Sequence, residues 1–252
     1  MCGGAFKSFL ATMLTLAGAH GAAAGDWSFT VVPEIQVYKY EAWGGAEATS
    51  HSRSYYGGMT TALSGDVRTD GFRLRSAAGY GTYSYTSPRW DGQKKTLVHF
   101  EGVQSFQDVM LGFQHAMGPW IVKVYAGWTQ DQHLLSPFDT KNPVQGKSDG
   151  VKGAIETWLN VADKAFVQSE MNWTEVFNTY GGRVRLGYRI NPALSMGLEA
   201  AANGNAVYDS GRAGSFARFE WSRGEISASG GVAGDRSSVQ GGYGSAGLLF
   251  RF

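Results

Sequence analysis

Along most of the chain, apolar residues fall at every second position, in runs separated by clusters of Gly, Asn, Asp, Ser and Pro. That is the period of strands, not helices. Trp120, Val122, Val124, Ala126 and Trp128 share one face, with Lys123, Tyr125 and Thr129 on the other. Val184, Leu186, Tyr188 and Ile190 alternate with Arg183, Arg185, Gly187 and Arg189. Leu194, Met196, Leu198, Ala200 and Ala202 alternate with Ser195, Gly197 and Glu199, and Ala246, Leu248, Phe250 and Phe252 alternate with Ser245, Gly247, Leu249 and Arg251. Extended over the chain, the pattern predicts about twelve strands, with 10–14 allowed by the same reading. The expected spans are 28–43, 52–64, 71–86, 96–115, 120–130, 151–159, 165–173, 178–190, 194–203, 213–221, 225–233 and 242–252.

Which face points inward is decided by the arginines. At the middle of a bilayer each costs about 2–4 kcal/mol on the lipid side. Arg183, Arg185 and Arg189 must therefore look into an enclosed polar interior, and Val184, Leu186 and Ile190 can meet acyl chains. A soluble sandwich would alternate too, but with its apolar face inward and more charge outside. The expected fold is an all-β, single up-and-down antiparallel transmembrane β-barrel with an even strand number.

Ahead of the strands, Lys7 precedes the short apolar run Phe9–Ala17, and Ala22-Ala23-Ala24 supplies small residues. The segment 1–24 reads as a signal peptide cleaved after Ala24, leaving residues 25–252 as the barrel; the apolar run is too short to span as a helix. With the mature N-terminus placed in the periplasm, the outward connections are expected around Gly44–His51, Ser87–Lys95, Asp131–Gly150, Thr174–Phe177, Gly204–Arg212 and Gly234–Gly241, and the tighter inward turns around Gly65–Asp70, Ala116–Pro119, Asn160–Lys164, Asn191–Ala193 and Ser222–Gly224. The fourth span is too long for one crossing and carries Asp108, which predicts a bulge near Ser105–Asp108.

Composition fits this reading. Charged residues are 17%, aromatics 13%, and glycine reaches 36 residues against only 6 prolines; soluble domains usually carry about 25% charge. The formal net charge of +1 gives no basic footprint for nucleic acid. Cys2 is the only cysteine and lies in the expected leader, so no disulfide framework or thiolate metal knuckle is expected. Tyr and Trp near strand ends (Trp27, Tyr38, Tyr40, Trp43, Tyr55, Tyr56, Tyr83, Tyr85, Trp120, Trp128, Trp158, Trp173 and Trp221) read as aromatic girdles at the lipid headgroups. The closing Gly-Leu-Leu-Phe-Arg-Phe, with Phe250 and Phe252, looks like the signal by which outer-membrane assembly machinery recognises a barrel.

Several stretches together resemble one family, the cellulose biosynthesis protein BcsS family of alphaproteobacteria. They are Asp70-Gly71-Phe72-Arg73-Leu74-Arg75 with Gly79-Tyr80-Gly81; Leu135-Ser136-Pro137-Phe138-Asp139 with Asn142-Pro143-Val144 and Gly150-Val151-Lys152; Tyr180 through Arg189; Leu198-Glu199 through Asn205 with Tyr208-Asp209; and Tyr243-Gly244 through Phe252. The resemblance implies an outer-membrane component of cellulose or exopolysaccharide production or secretion, acting as pore, scaffold or docking partner. It supplies no site residues. Its expected partners are outer-membrane lipid and lipopolysaccharide, the assembly machinery, and cellulose synthase components or the glucan chain.

The polar residues expected to line the interior are Arg73, Arg75, Lys123, Lys152, Glu156, Glu170, Arg183, Arg185, Arg189, Glu199, Arg218 and Glu220. Their mixed signs suggest ion pairs that fill a narrow barrel, and the other reading is a solute-binding lumen. Tyr80, Tyr83, Tyr85, Trp90 and Trp158 offer flat faces to sugar rings if they are not girdle residues. The expected outer loop Asp131–Gly150 carries Asp131, His133, Asp139 and Asn142, but neither EF-hand nor histidine-ligand spacing, so it reads as a structured loop and no cofactor or metal is expected. His51, His99, His115 and His133 belong to no catalytic motif; a serine and Glu101 beside His99 are one chance grouping. The expectation is a non-enzyme. The alternatives are a barrel enzyme acting on lipid A or polysaccharide, and a soluble periplasmic ligand-binding barrel.

Overall fold

A computed structural model describes residues 37–90, 92–235 and 238–252. The expected leader, Cys2, Trp27 and most of the first expected span lie outside the described residues. Twelve antiparallel strands close into one barrel, each paired with its neighbours in sequence and the first with the last. They are β1 (Tyr40–Thr49), β2 (Ser52–Ala62), β3 (Gly71–Trp90), β4 (Lys95–Met117), β5 (Trp120–Ser136), β6 (Gly146–Asn160), β7 (Ala165–Thr174), β8 (Tyr180–Arg189), β9 (Leu194–Asn205), β10 (Tyr208–Trp221), β11 (Gly224–Gly234) and β12 (Val239–Arg251). The seam is made by β1 and β12, from Glu41 opposite Arg251 to Thr49 opposite Tyr243.

The outward face is apolar over a limited height. On β5 it runs Trp120, Val122, Val124, Ala126 and Trp128, with a tryptophan at each end, before giving way to Gln130 and Gln132. At about 3.3 Å per residue and a tilt near 40°, that stretch spans about 20 Å vertically, close to the apolar belt of outer-membrane barrels. Beside it, β4 presents Phe113, Leu111 and Val109, followed by Gln107 and Ser105. Gln107 and Gln130 bond to each other at 3.0 Å just above the belt. Within the belt, Thr157 and Ser169 face each other across β6 and β7 and share a 2.8 Å hydrogen bond, which satisfies two hydroxyls that lipid cannot.

The strands are unequal. On the wall made by β3–β6 they are long, and they rise past the rest of the barrel at the end opposite the termini. β2 stops pairing with β3 at Tyr83, and β5 stops pairing with β4 at Glu101. Beyond those points β3 and β4 continue to Trp90 and Lys95 as a two-stranded ribbon. This corrects two expectations. The length of the fourth strand comes from this projection, and its pairing with β3 is continuous, without the bulge expected at Ser105–Asp108; a register shift occurs instead at Ala233/Gly234. Nor does one end of the barrel carry long loops and the other short ones. At the termini end, residues 63–70 form one of the longer connections, and at the far end residues 50–51 and 206–207 are tight turns. The asymmetry lies in strand length.

Other boundaries shift for related reasons. The first described strand begins at Tyr40, residues 37–39 of the expected span being outside it, and it continues through the expected loop Gly44–His51 to Thr49. Asp131 and His133 belong to β5, so the expected outer loop shrinks to residues 137–145 and keeps only Asp139 and Asn142 of its four candidates.

Candidate functional site in the barrel interior

Side chains that bond across several strands fix the inward face. Arg75 on β3 pairs with Glu156 on β6, which Lys123 on β5 also approaches at 3.6 Å. The Arg75 guanidinium lies 4.6 Å over the Trp43 ring and 5.3 Å over Tyr125. On the other side of the interior Arg212 on β10 pairs with Glu47 on β1. Arg183 donates to both oxygens of Glu170 at 2.8 Å. Glu199 on β9 is a hub among the shorter strands: its buried carboxylate accepts from Arg185 Nε at 2.7 Å, Ser229 Oγ at 3.1 Å and Tyr243 Oη at 3.2 Å, with Arg212 Nε at 3.8 Å. Charges buried like this do not add much net stability, but losing one partner strands the other in a poor solvent.

Nearer the termini, Trp158 and Phe166 stack at 4.3 Å, and the buried Arg218 guanidinium lies against the pair (4.6 and 4.7 Å), with Glu220 Oε2 at 3.5 Å. Arg189 leans on the same two rings and bonds to Asn160 Oδ1 at 2.6 Å. The turn of residues 63–70 is held against this end. Arg73 donates to the carbonyls of Thr69 and Asp66, Gln114 donates to Thr69 at 2.9 Å, and Tyr38, Ala62 and Val67 form a small buried cluster. Asp66 accepts from Arg68 and from the backbone of Tyr38 and Arg68, and the Arg68 side-chain bond leads in holding its carboxyl down to about 2.

The far mouth is aromatic. Phe100 stacks on Tyr85 (centroids 5.0 Å), Tyr85 is nearly parallel to Tyr83 (6.4 Å), Tyr83 meets His133 (5.8 Å) and His133 meets Phe177 edge-on (5.4 Å). Tyr83 Oη and His133 Nδ1 are 3.0 Å apart. Tyr83 lies over Gly102 of β4, where a Cβ would sit 2.2 Å from its ring; the same device places Tyr125 over Gly112 and Phe166 over Gly187. Phe177 reaches the mouth from the β7–β8 connection with φ 53° and ψ 18°, and Asn178 follows with φ 49°. Left-handed backbone at a bulky residue costs about 1–3 kcal/mol, and persists only where its surroundings impose it.

The loop 137–145 folds onto the same wall through Asp139. Its carboxylate accepts from Tyr85 Oη at 2.9 Å, Arg89 Nε at 3.0 Å and the Lys141 backbone at 3.1 Å, and Asn142 Nδ2 donates to Tyr85 Oη at 3.0 Å. Burial works to raise the Asp139 carboxyl, but these bonds, led by Arg89, outweigh it and hold the group below its usual range.

All of the residues expected to line the interior lie on inward positions of their strands. The girdle assignment needs correction. Tyr40, Tyr55, Trp120, Trp128, Trp173 and Trp221 face outward, but Trp43, Tyr56, Tyr83, Tyr85 and Trp158 face inward, and Tyr38 is buried in the turn cluster. Of the five aromatics considered for sugar, Tyr83 and Tyr85 come together, Tyr80 and Trp90 point outward, and Trp158 is occupied by arginines. Phe100 and Phe177, which the sequence did not mark, complete the arc together with His133, expected in the outer loop and found on β5. His99 sits outside, 3.4 Å from Thr86 Oγ1, with Ser84 opposite Glu101 on the same exposed face. Phe250 and Phe252 stack on each other at 6.2 Å, and Phe252 also stacks on Tyr40 across the seam at 5.6 Å. Among the described residues no group of three or more His, Cys, Asp or Glu side chains is arranged to hold a metal.

The sequence model of the family described as cellulose biosynthesis protein BcsS matches residues 42–252, all of the barrel but the first two residues of β1. The chain belongs to the BcsS family. No curated protein matches it in sequence. Among solved structures, this BcsS barrel is similar to the KdgM porin in complex with disordered oligogalacturonate, with TM-score 0.51 and 11% identity over 84% of this chain and 99% of that one. It is also similar to the transport unit of the autotransporter AIDA-I from Escherichia coli, with TM-score 0.46 and 10% identity over 90% and 93%. At such identities the likeness is one of fold: this BcsS protein is an outer-membrane-type β-barrel linked to cellulose biosynthesis.

Proposed function

We propose that this BcsS barrel serves cellulose production as a closed outer-membrane scaffold with its functional mouth outward, and not as an open export conduit. The observation that carries this reading is the set of bonds crossing the interior. Arg75–Glu156 joins β3 to β6, and Arg212–Glu47 joins β10 to β1. Each pair skips two intervening strands, so it lies across the bore and not along the wall. Tyr56 is close enough to the Arg183–Glu170 and Arg212–Glu47 pairs for their charges to act on it, and Arg75 acts on Glu170 in turn. The inward-folded turn 63–70 and loop 137–145 support the same reading at the two ends. Side chains packed in this way fill narrow barrels and make them rigid.

Planar-bilayer recording tests the proposal. The wild-type protein is expected to be almost silent, and the quadruple variant Arg75→Ala, Glu156→Ala, Glu47→Ala, Arg212→Ala to show steady conductance. A wild-type barrel that conducts steadily at low voltage would refute it. Complementing a deletion strain then asks whether the silent barrel is the active form: cellulose yield should be restored by the wild type and not depend on conductance.

A further inference from the structure

We propose that the aromatic arc Phe100–Tyr85–Tyr83–His133–Phe177 at the far mouth is a binding site for a neutral, hydroxyl-rich glycan, specifically a β-glucan segment. Three features of the arc select that chemistry. Its rings come from β4, β3, β5 and the β7–β8 connection, and consecutive centroids are 5.0–6.4 Å apart. Phe100 and His133 are buried and back the arc, so the half-exposed Tyr83, Tyr85 and Phe177 supply the accessible ring surface against which the C–H faces of a sugar can lie, while the ring edges carry polar atoms for orientation. Those atoms are Tyr83 Oη and Tyr85 Oη, oriented by their bonds to His133 and to Asp139 and Asn142, each with acceptor capacity left for a sugar hydroxyl. Finally, the nearest cations are already neutralised, Arg89 by Asp139 and Lys152 by Asp108. A polyanionic chain would find no bonded-out charge to meet, but a neutral chain has no desolvated charge to overcome.

Phe177 supplies an independent argument. Its ring reaches His133 only because the backbone is held at φ 53°. The turn is kept in place by Thr174 Oγ1 accepting from the Val176 amide at 3.1 Å and by Glu175 Oε1 accepting from the Val151 amide at 2.9 Å. Strain of this kind gathers at ligand sites. The preference for a neutral glycan comes from the rings and the charge balance; naming a glucan rests on the proposed role in cellulose production.

The test uses the full-length protein in detergent micelles, titrated calorimetrically with cellohexaose and, separately, with an oligogalacturonate of the same length. Wild type should bind cellohexaose and bind the acidic oligomer far more weakly. Tyr83→Ala and Phe177→Ala should each weaken cellohexaose binding by about tenfold or more, Tyr83→Phe should keep most of it, and Trp90→Ala, on the outward face of the ribbon, should leave it unchanged. Heat-modifiable migration reports that each variant is folded. If Tyr83→Ala does not fold, Gly102→Ala displaces the same ring from its neighbour strand and should show the same loss. Absent cellohexaose binding by the folded wild type would overturn the proposal, as would loss in Trp90→Ala without loss in Phe177→Ala, or equal binding of the acidic oligomer. A wild type that conducts yet binds cellohexaose would refute the closed scaffold and leave this site standing; a silent barrel that binds nothing would do the reverse.

Discussion

The two sides of this barrel solve different problems. The low wall, from β7 through β12 to β2, is as tall as its lipid belt requires, and it spends its inward face on charge: Arg183, Arg185 and Arg212 converge on the buried Glu199, and Arg218 is buried as well. The tall wall, β3–β6, carries inward charge low down in Arg75, Lys123 and Glu156 and higher up in Asp131 and the Arg89–Asp139 pair. Above the outward belt, where Gln107 and Gln130 mark the end of lipid contact, its inward face turns to Tyr83, Tyr85, Phe100 and His133, covered in part by its own loop. One side therefore holds the barrel shut and fixes its cross-section. The other builds a surface that the membrane does not need.

The comparison predicts that damage to the low wall is global and damage to the tall wall local. The largest effect is expected from Glu199→Ala, which leaves the buried Arg185 without its carboxylate partner. It should cost about 3–5 kcal/mol, read as a lower urea midpoint for unfolding from liposomes; a loss under 1 kcal/mol would remove the distinction between the walls. Asp139→Ala should instead release residues 137–145, seen as faster proteolysis in that loop, while the global midpoint moves by less than about 0.5 kcal/mol. The same latch fixes a pH dependence. Because the folded-state carboxyl of Asp139 is depressed, its contribution is complete above the ordinary carboxylate range and is lost as pH falls below it. Loop protection should thus be flat from neutral pH to about pH 5 and fall only in stronger acid; protection lost near pH 6 would contradict it. The smallest effect tests the lipid face. Thr157→Val alone strands the Ser169 hydroxyl and should cost about 1–2 kcal/mol, but Thr157→Val with Ser169→Val should be nearly neutral.

Strand number, direction and facing were legible because the lipid belt forces a period of two, and Arg183, Arg185 and Arg189 gave that period a sign. Strand ends were not, because above the belt both faces are polar and the alternation that marks a strand fades. Residues 131–136 look like loop in sequence for this reason, although they continue β5. The inward aromatics carried a signal that went unused. Tyr83 and Tyr85 have the parity of Arg73 and Arg75, Trp43 that of Glu41 and Glu47, and Trp158 that of Lys152 and Glu156, so they share the charged face. Phe177 had no such signal. Its place depends on a left-handed turn at a residue type that avoids one.

The seam carries a consequence for folding order. Glu41 meets Arg251 directly opposite it, and their side chains bond at 2.9 Å, so the contact that closes the cylinder joins residues almost as far apart in sequence as the barrel allows. Until β12 arrives, β1 and β11 both present bare strand edges, which invite pairing with other chains. A chain cut short before Val239 should accordingly aggregate instead of yielding a smaller barrel, since both of its edges stay open to other chains.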